Sequence, residues 1–173
     1  MSKKALLVID MLEDFLAEEG TLYIGPAAKN VRLKVEERVK EARREGHPIF
    51  FICDSHLPQD KEFEMFPPHC IQGEKGAQVV SEISPLSHER LIFKRRYSGF
   101  FGTDLDLSLR ELGVRRLELA GVCTQICVLY TAADARSLGY EVELYRDAVA
   151  SFDEEAHRFA LNEMEKTLGV EIK

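Results

Sequence analysis

Residues 116–145 have the sequence RLELAGVCTQICVLYTAADARSLGYEVELY, and they contain one complete strand–helix–strand unit. The short apolar runs at its two ends, 116–120 and 140–145, are typical of buried strands, whereas 124–138 has the spacing of an amphipathic helix. Gly139 can adopt the left-handed backbone conformation that ends a helix. The stretch therefore predicts two strands joined by a helix, the unit from which parallel sheets are built.

The same alternation extends along the whole chain. Gly46 and Gly113, like Gly139, each follow a predicted helix and precede a predicted strand. Residues 1–173 are therefore expected to form a single α/β domain, with a doubly wound, mostly parallel six-stranded sheet and helices on both faces in a Rossmann-like three-layer arrangement. The predicted strands cover 5–9, 48–53, 90–93, 116–120, 140–145 and 170–173, and the predicted helices cover 30–45, 104–112, 124–138 and 153–168.

The last predicted helix has a clear start and an apolar face. Asp153 is a residue type that caps helices by accepting a hydrogen bond from the first turn. Phe159, Ala160, Met164 and Leu168 are expected to supply the face that packs on the sheet.

The composition excludes several classes of protein. Lys and Arg number 23 against 30 Asp and Glu, and the resulting net charge of -7 disfavours nucleic acid and anionic membranes as partners. The first apolar run, Ala5–Ile9, is too short for a signal peptide or a membrane span. The four cysteines lie in or beside apolar segments, which favours reduced thiols and a cytoplasmic location. They are Cys53, Cys70, Cys123 and Cys127.

Polar residues follow the predicted strands, at the edge where open parallel sheets bind ligands. They are Asp10, Asp54 and His56, Lys94, the segment 121–127, and Asp147. The segment 55–76 is long, irregular and contains proline, and loops of this kind usually have a function. The sequence therefore predicts an active site at this edge of the sheet.

Cys127 is the candidate nucleophile of this site. It follows a strand at the start of a predicted helix, where the helix dipole and backbone N–H groups favour the thiolate. A buried structural cysteine is the simpler interpretation of Cys127 alone, and a structural ion pair would explain Asp10 and Lys94. The three residues together indicate a thiol whose proton passes to Asp10 while Lys94 stabilises the anions.

Asp54 and His56 form a second candidate group. Alternate residues of an extended segment place their side chains on the same side, so this pair can bind a divalent cation, with His69 as a third ligand. One carboxylate and two imidazoles suit zinc, iron or manganese rather than calcium. The remaining histidines are interpreted as solvated surface residues; they are His47, His88 and His157.

Four stretches of the sequence resemble motifs of the isochorismatase-like cysteine hydrolases, and nicotinamidases among them. VIDMLEDF (8–15) resembles the first motif of the family, and GVCTQICV (121–128) resembles its nucleophile motif. FPPHCIQG (66–73) is similar to the Trp-Pro-x-His-Cys stretch of nicotinamidases, with Phe66 in place of tryptophan. Lys94, followed by YSGF (97–100), fits the central lysine of the family.

The resemblance implies hydrolysis of nicotinamide to nicotinate and ammonia through a cysteine thioester. It implies an oxyanion hole from the backbone N–H groups of Cys123 and Cys127 beside a cis Val122–Cys123 peptide. It implies a divalent metal, with zinc the first choice and iron or manganese the alternatives, that positions the pyridine ring, and a homo-oligomer. The implied residues are the triad Asp10, Lys94 and Cys127, the metal ligands Asp54, His56 and His69, and the substrate-binding residues Phe15, Phe66 and Tyr97.

The sequence also departs from the family pattern. Leu12 and Glu13 replace the common Gln-Asn, and Gln125 and Ile126 replace the frequent Asp-Tyr, so another small amide or ureido compound is an alternative substrate. A fourth metal ligand of some relatives falls near Glu62. An alternative of another class is a redox or non-enzymatic protein that uses the thiols at positions 123 and 127, although C-x-x-x-C lacks the thioredoxin spacing.

Overall fold

The computed structural model of the protein describes residues 3–173, so the first two residues of the predicted domain lie outside the described residues. Six parallel strands form one sheet in the order β3-β2-β1-β4-β5-β6. Every predicted strand is present, and β4 and β5 are longer than predicted. The strands are β1 (Lys3–Ile9), β2 (Ile49–Asp54), β3 (Arg90–Lys94), β4 (Val114–Val122), β5 (Glu141–Ala150) and β6 (Glu171–Ile172).

Helices cover both faces of the sheet, as predicted. One face packs against α1 and α2, and the other packs against α3, α4 and α5. The helices are α1 (Glu13–Leu16), α2 (Ala27–Glu45), α3 (Leu105–Glu111), α4 (Leu129–Ser137) and α5 (Glu154–Lys166). Within residues 3–173, no helix combines the length and the apolar character needed to cross a membrane.

Strand β1 lies between β2 and β4, and both of its faces are buried. Leu6 and Val8 belong to the core under α2, while Leu7 and Ile9 belong to the core on the opposite face. From β1, the strands β2 and β3 are added on one side of the sheet, and β4, β5 and β6 are added on the other. In parallel sheets this reversal opens a crevice at the carboxyl ends of the strands.

Helix α5 confirms the predicted cap and corrects the predicted apolar face. The Asp153 carboxylate accepts a 3.0 Å hydrogen bond from the N–H of Ala156, an interaction worth about 1 kcal/mol in helix caps. Phe159 was expected to be buried, but it is 61% exposed, whereas Leu161 is buried beside Met164. The reason is the helical period, which places position 161, and not 159, on the face of position 164.

Two further predictions require correction. The helix predicted from Thr124 begins as a wider π-helical turn, Thr124–Val128, before the regular helix α4. Asp147 does not follow a strand, because β5 continues past it after an irregularity in its pairing with β4. Its carboxylate is more than half exposed and lies 3.7 Å from the Lys34 ammonium, so it contributes nothing to the site.

Candidate active site

The three predicted catalytic residues meet at the carboxyl ends of the central strands. The Lys94 ammonium, at the end of β3, lies 2.9 Å from Asp10 Oδ2 and 3.5 Å from the Cys127 sulfur. It also contacts Asp54 Oδ1, a partner that the sequence did not indicate. The N–H of Asp54 donates a 2.8 Å hydrogen bond to Asp10 Oδ1, which fixes the two carboxylates relative to each other.

The charges in this group depend on one another because water is excluded. Burial opposes the charge of Lys94, but the carboxylates of Asp10 and Asp54 raise its pKa well above the ordinary value. Burial, and then the charge of Asp54, raise the pKa of Asp10 to about 6, although Lys94 opposes them. Asp10 is therefore the more basic of the two carboxylates, which suits a group that accepts a proton near neutral pH.

The surroundings of Cys127 favour the neutral thiol, contrary to the expectation that the helix start favours the thiolate. Burial and the neighbouring Asp10 carboxylate raise the pKa of Cys127 well above its ordinary value, although Lys94 acts in the opposite direction. The residue lies near the end of the π-helical turn and is buried. Removal of its proton therefore requires a base at the site, and a carboxylate oxygen of Asp10 lies within 4.8 Å of the sulfur.

The chain reaches Cys127 through an unusual backbone path. Gly121 has φ of +126°, and a Cβ atom there would lie 1.9 Å from the carbonyl oxygen of Ile9, so only glycine permits this approach of β4 to β1. The peptide between Val122 and Cys123 is cis, as the resemblance implied. The Cys123 carbonyl then accepts the N–H groups of Ile126 and Val128, which closes the turn around the cysteine.

A second group of polar side chains lies on the other side of Asp54. Asp54 Oδ2 is 3.6 Å from His56 Nε2 and 3.8 Å from His69 Nε2. Glu62 Oε1 is 3.9 Å from the first of these nitrogens and 4.0 Å from the second. One atom from each of the four residues lies within 4.8 Å of every other, and all four residues are buried.

These four residues fit a transition-metal ion. Adjacent ligands about 2.1 Å from a metal ion are about 3.0 Å apart in an octahedral site and about 3.4 Å apart in a tetrahedral one. The separations of 3.6 to 4.0 Å in this group are slightly longer. His69 Nδ1 donates to the Pro67 carbonyl at 2.8 Å, which leaves its Nε2 free to accept. Both ring nitrogens of His56 and Oε2 of Glu62 are buried without a hydrogen-bond partner. The group thus has the donor atoms of the predicted ligands, with Glu62 as a fourth.

A cavity of about 400 Å³ connects the two groups to the surface. The side chains of Cys127, Asp54 and His69 reach it, and so do the three predicted substrate-binding residues, Phe15, Phe66 and Tyr97. Ile126 also lines this cavity, whereas Leu12, Glu13 and Gln125, which likewise depart from the family pattern, do not. Cys123, predicted for the oxyanion hole, also lines it, whereas four other lining residues were not indicated by the sequence: Thr21, Leu22, Tyr23 and Phe152.

Two residues outside the predicted site, Asp14 and His157, support its backbone. Asp14, in the first motif, accepts a 2.7 Å hydrogen bond from the N–H of Cys70 and so fixes the loop beside His69. His157 was interpreted as a surface residue, but its Nδ1 lies 2.8 Å from the hydroxyl oxygen of Thr124, at the start of the nucleophile turn. The helical period could have revealed this, since 157 shares the face of 161 and 164.

The chain is similar to known proteins over almost its whole length. The family model described as the isochorismatase domain matches residues 4–172. The structure of a pyrazinamidase/nicotinamidase from Streptococcus mutans is similar over 99% of this chain and all of its own, with 39% identity and a TM-score of 0.94.

Two other solved structures are nearly as similar. A pyrazinamidase from Pyrococcus horikoshii, solved in complex with zinc, has 36% identity and a TM-score of 0.92 over 99% of this chain and 98% of its own. An N-carbamoylsarcosine amidase from Thermoplasma acidophilum has 34% identity and a TM-score of 0.90 over 99% of this chain and 95% of its own.

Proposed function

Because the chain belongs to the isochorismatase family, we propose that it is a nicotinamidase, which hydrolyses nicotinamide to nicotinate and ammonia. The observation that supports this most strongly is a single cavity between two groups. The buried thiol of Cys127 lines this cavity, and so do three residues of the metal-type cluster, Asp54, Glu62 and His69. A flat ring with a nitrogen at one edge and a carboxamide at another matches both sides of such a cavity.

The reaction begins at Cys127. Asp10 accepts the thiol proton, and the sulfur attacks the carboxamide carbon to form a carbon–sulfur bond. Lys94, within 3.5 Å of both groups, stabilises the negative charge as it moves from carboxylate to sulfur. Because both side chains are buried, these charges interact more strongly than they would in water.

The next steps release ammonia and then nicotinate. The backbone N–H groups of Cys123 and Cys127 donate to the oxyanion of the tetrahedral intermediate. Asp10 returns its proton to the nitrogen, the carbon–nitrogen bond breaks, and ammonia leaves. Water then attacks the thioester, with Asp10 as the general base, and the thiol is restored.

The cluster at Asp54 orients the ring. A divalent ion would be held by four residues: Asp54, His56, Glu62 and His69. Zinc is the ion proposed first, because two carboxylates and two imidazoles suit it. When bound, with coordination positions left open beyond these four residues, the ion would supply a Lewis-acidic contact for the pyridine nitrogen. Phe15 and Phe66 line the cavity and would contact the ring.

The direct test is release of both products from nicotinamide by the purified protein. We expect nicotinate and ammonia in equal amounts, with pyrazinamide hydrolysed as well. The resemblance to an N-carbamoylsarcosine amidase makes a ureido compound the competing substrate. A kcat/KM for N-carbamoylsarcosine that exceeds the value for nicotinamide would overturn the proposal.

A further inference from the structure

Asp60 is a buried carboxylate that neither the triad nor the ligand cluster includes. Its side chain is completely buried, and each of its oxygens has more than one partner. Arg95 donates to Oδ2 from two nitrogens, at 2.9 and 3.0 Å, and Arg96 donates to Oδ1 at 2.9 Å. Burying a carboxylate is costly unless it is paired, so this arrangement needs a reason in the surrounding structure.

The neighbours of Asp60 are two of the four cluster residues. Oδ1 accepts a 3.1 Å hydrogen bond from the N–H of Glu62 and so caps the short 3₁₀ helix Lys61–Glu64. Oδ2 lies 3.3 Å from His56 Nδ1, outside hydrogen-bond geometry but close enough to favour a proton on that nitrogen. A proton on Nδ1 leaves Nε2, which faces the cluster, as the acceptor.

We propose that Asp60 is a positioning residue of the metal centre, which fixes Glu62 through its backbone and His56 through its ring. This inference rests on the metal cluster of the proposed function, and not on the identity of the substrate.

Arg95 and Arg96 connect Asp60 to the segment that carries Lys94. They directly follow Lys94 in the chain, so the segment that delivers the catalytic ammonium also delivers the partners of Asp60. Arg96 further lies 3.8 Å from Glu62 Oε2. The two guanidinium groups are about half exposed, and their positive charges lie against the buried carboxylate of Asp60. The position of the metal ligands thereby depends on the end of β3.

A purely structural ion pair would stabilise the loop without affecting metal affinity, so affinity is the decisive quantity. Metal-free protein is titrated with Zn²⁺ in competition with a chromophoric chelator. We expect Asp60→Asn to raise the Kd for Zn²⁺ by about 10- to 100-fold, the range found when an outer partner of a ligand is removed. Arg96→Gln is expected to act in the same direction with a smaller effect.

Asp106→Asn is the matched control, because Asp106 also pairs with an arginine, Arg110, but lies on α3 outside both groups. It should bind Zn²⁺ within about twofold of the wild type. Asp60→Asn protein that is folded by circular dichroism and binds Zn²⁺ as tightly as the wild type would overturn the inference. If that variant does not fold, an unchanged Kd in Arg96→Gln would do so.

The Zn²⁺ titration needs no substrate, so the two proposals fail separately. A wild type that binds no Zn²⁺ would overturn the inference about Asp60. A wild type that binds Zn²⁺ in an Asp60-dependent manner, yet releases no ammonia from nicotinamide, would overturn the proposed function and support the inference.

Discussion

At the scale of single residues, the site combines a protonated thiol with an unusually basic carboxylate. Burial raises the pKa of both Cys127 and Asp10, whereas the buried ammonium of Lys94 opposes this for each of them. Without substrate, the neutral form of the Cys127 thiol is therefore favoured. The Asp10 carboxylate changes its charge near pH 6. Substrate binding is proposed to precede the proton transfer. The roles of Cys127 and Asp10 can therefore be tested separately, by substitution and by the pH dependence of the rate.

Cys127→Ala should reduce turnover by about four orders of magnitude or more, because it removes the sulfur that is proposed to form the thioester. Ammonia release measures this loss, and equilibrium binding of nicotinamide should be nearly unchanged. Cys53→Ala, which alters another buried thiol in β2, is the control and should retain activity. Near wild-type turnover by the Cys127 variant would contradict covalent catalysis.

The acid limb of the pH profile should report Asp10. A carboxylic acid with a pKa of about 6 takes up a proton as the pH falls below 6 and can no longer accept the one from Cys127. We therefore expect kcat/KM to level off above this pH and to fall by about tenfold per unit below it. A rate that stays constant from pH 7 to 4.5, in protein that remains folded, would contradict this role.

At the scale of elements, the nucleophile turn is held from outside by α5. His157, on the buried face of that helix, pairs with the hydroxyl group of Thr124, which is itself fully buried. Thr124 follows Cys123 and begins the turn that ends next to Cys127. A loss of this contact should therefore disturb the backbone N–H groups of the site more than the cavity itself.

His157→Gln should lower kcat by about five- to tenfold with little change in KM, because the lost hydrogen bond is worth about 1 kcal/mol. Asparagine places its amide near the position of Nδ1, so His157→Asn should restore most of the rate. Steady-state kinetics on nicotinamide distinguish the two variants. Equal losses of kcat in both, or a change confined to KM, would show that the contact with Thr124 does not support catalysis.

The sequence predicted the elements well because their signals are local. Apolar periodicity and helix-ending glycines identified the strands and helices, and parallel topology placed Asp10, Lys94 and Cys127 together at one edge of the sheet. It could not indicate Glu62 securely, nor Asp60 at all. Their positions depend on the path of the irregular segment 55–76, which has no period to follow.

Local sequence patterns also could not predict how deeply Cys127 and His157 are buried. The sequence placed Cys127 at a helix start and therefore favoured the thiolate, but the opposite pKa direction follows from the enclosure of Cys127 beside Asp10. His157 lies in a charged part of the sequence, yet it is on the face of α5 that packs against the nucleophile turn. Both errors arise because a neighbour in space, and not a neighbour in sequence, decides the environment.

At the scale of the whole molecule, Asp54 joins the two halves of the site. One of its oxygens contacts Lys94, and the other faces the imidazoles of His56 and His69. The group at Cys127 and the cluster that is proposed to orient the ring thus share one carboxylate at the end of β2. The homo-oligomer implied by the family resemblance stays a prediction, for which sedimentation velocity is the test.

Metal removal should abolish most of the activity, since an unoriented ring seldom presents its carboxamide to Cys127. Activity after chelation, and after return of Zn²⁺, Fe²⁺ or Mn²⁺, measures the dependence. His69→Ala should lower the metal content, whereas the exposed control His88→Ala should not. Full activity in protein that elemental analysis finds free of transition metal would contradict the role of the cluster.

The ratio of kcat/KM for nicotinamide to that for benzamide tests the central claim most directly. Benzamide has the same shape and a comparable amide, but it lacks the ring nitrogen that the cluster at Asp54 is proposed to recognise. A site built for a polar contact discriminates strongly against an analogue without it, so we expect nicotinamide to be favoured by about two to four orders of magnitude. Comparable values for the two amides would contradict the account.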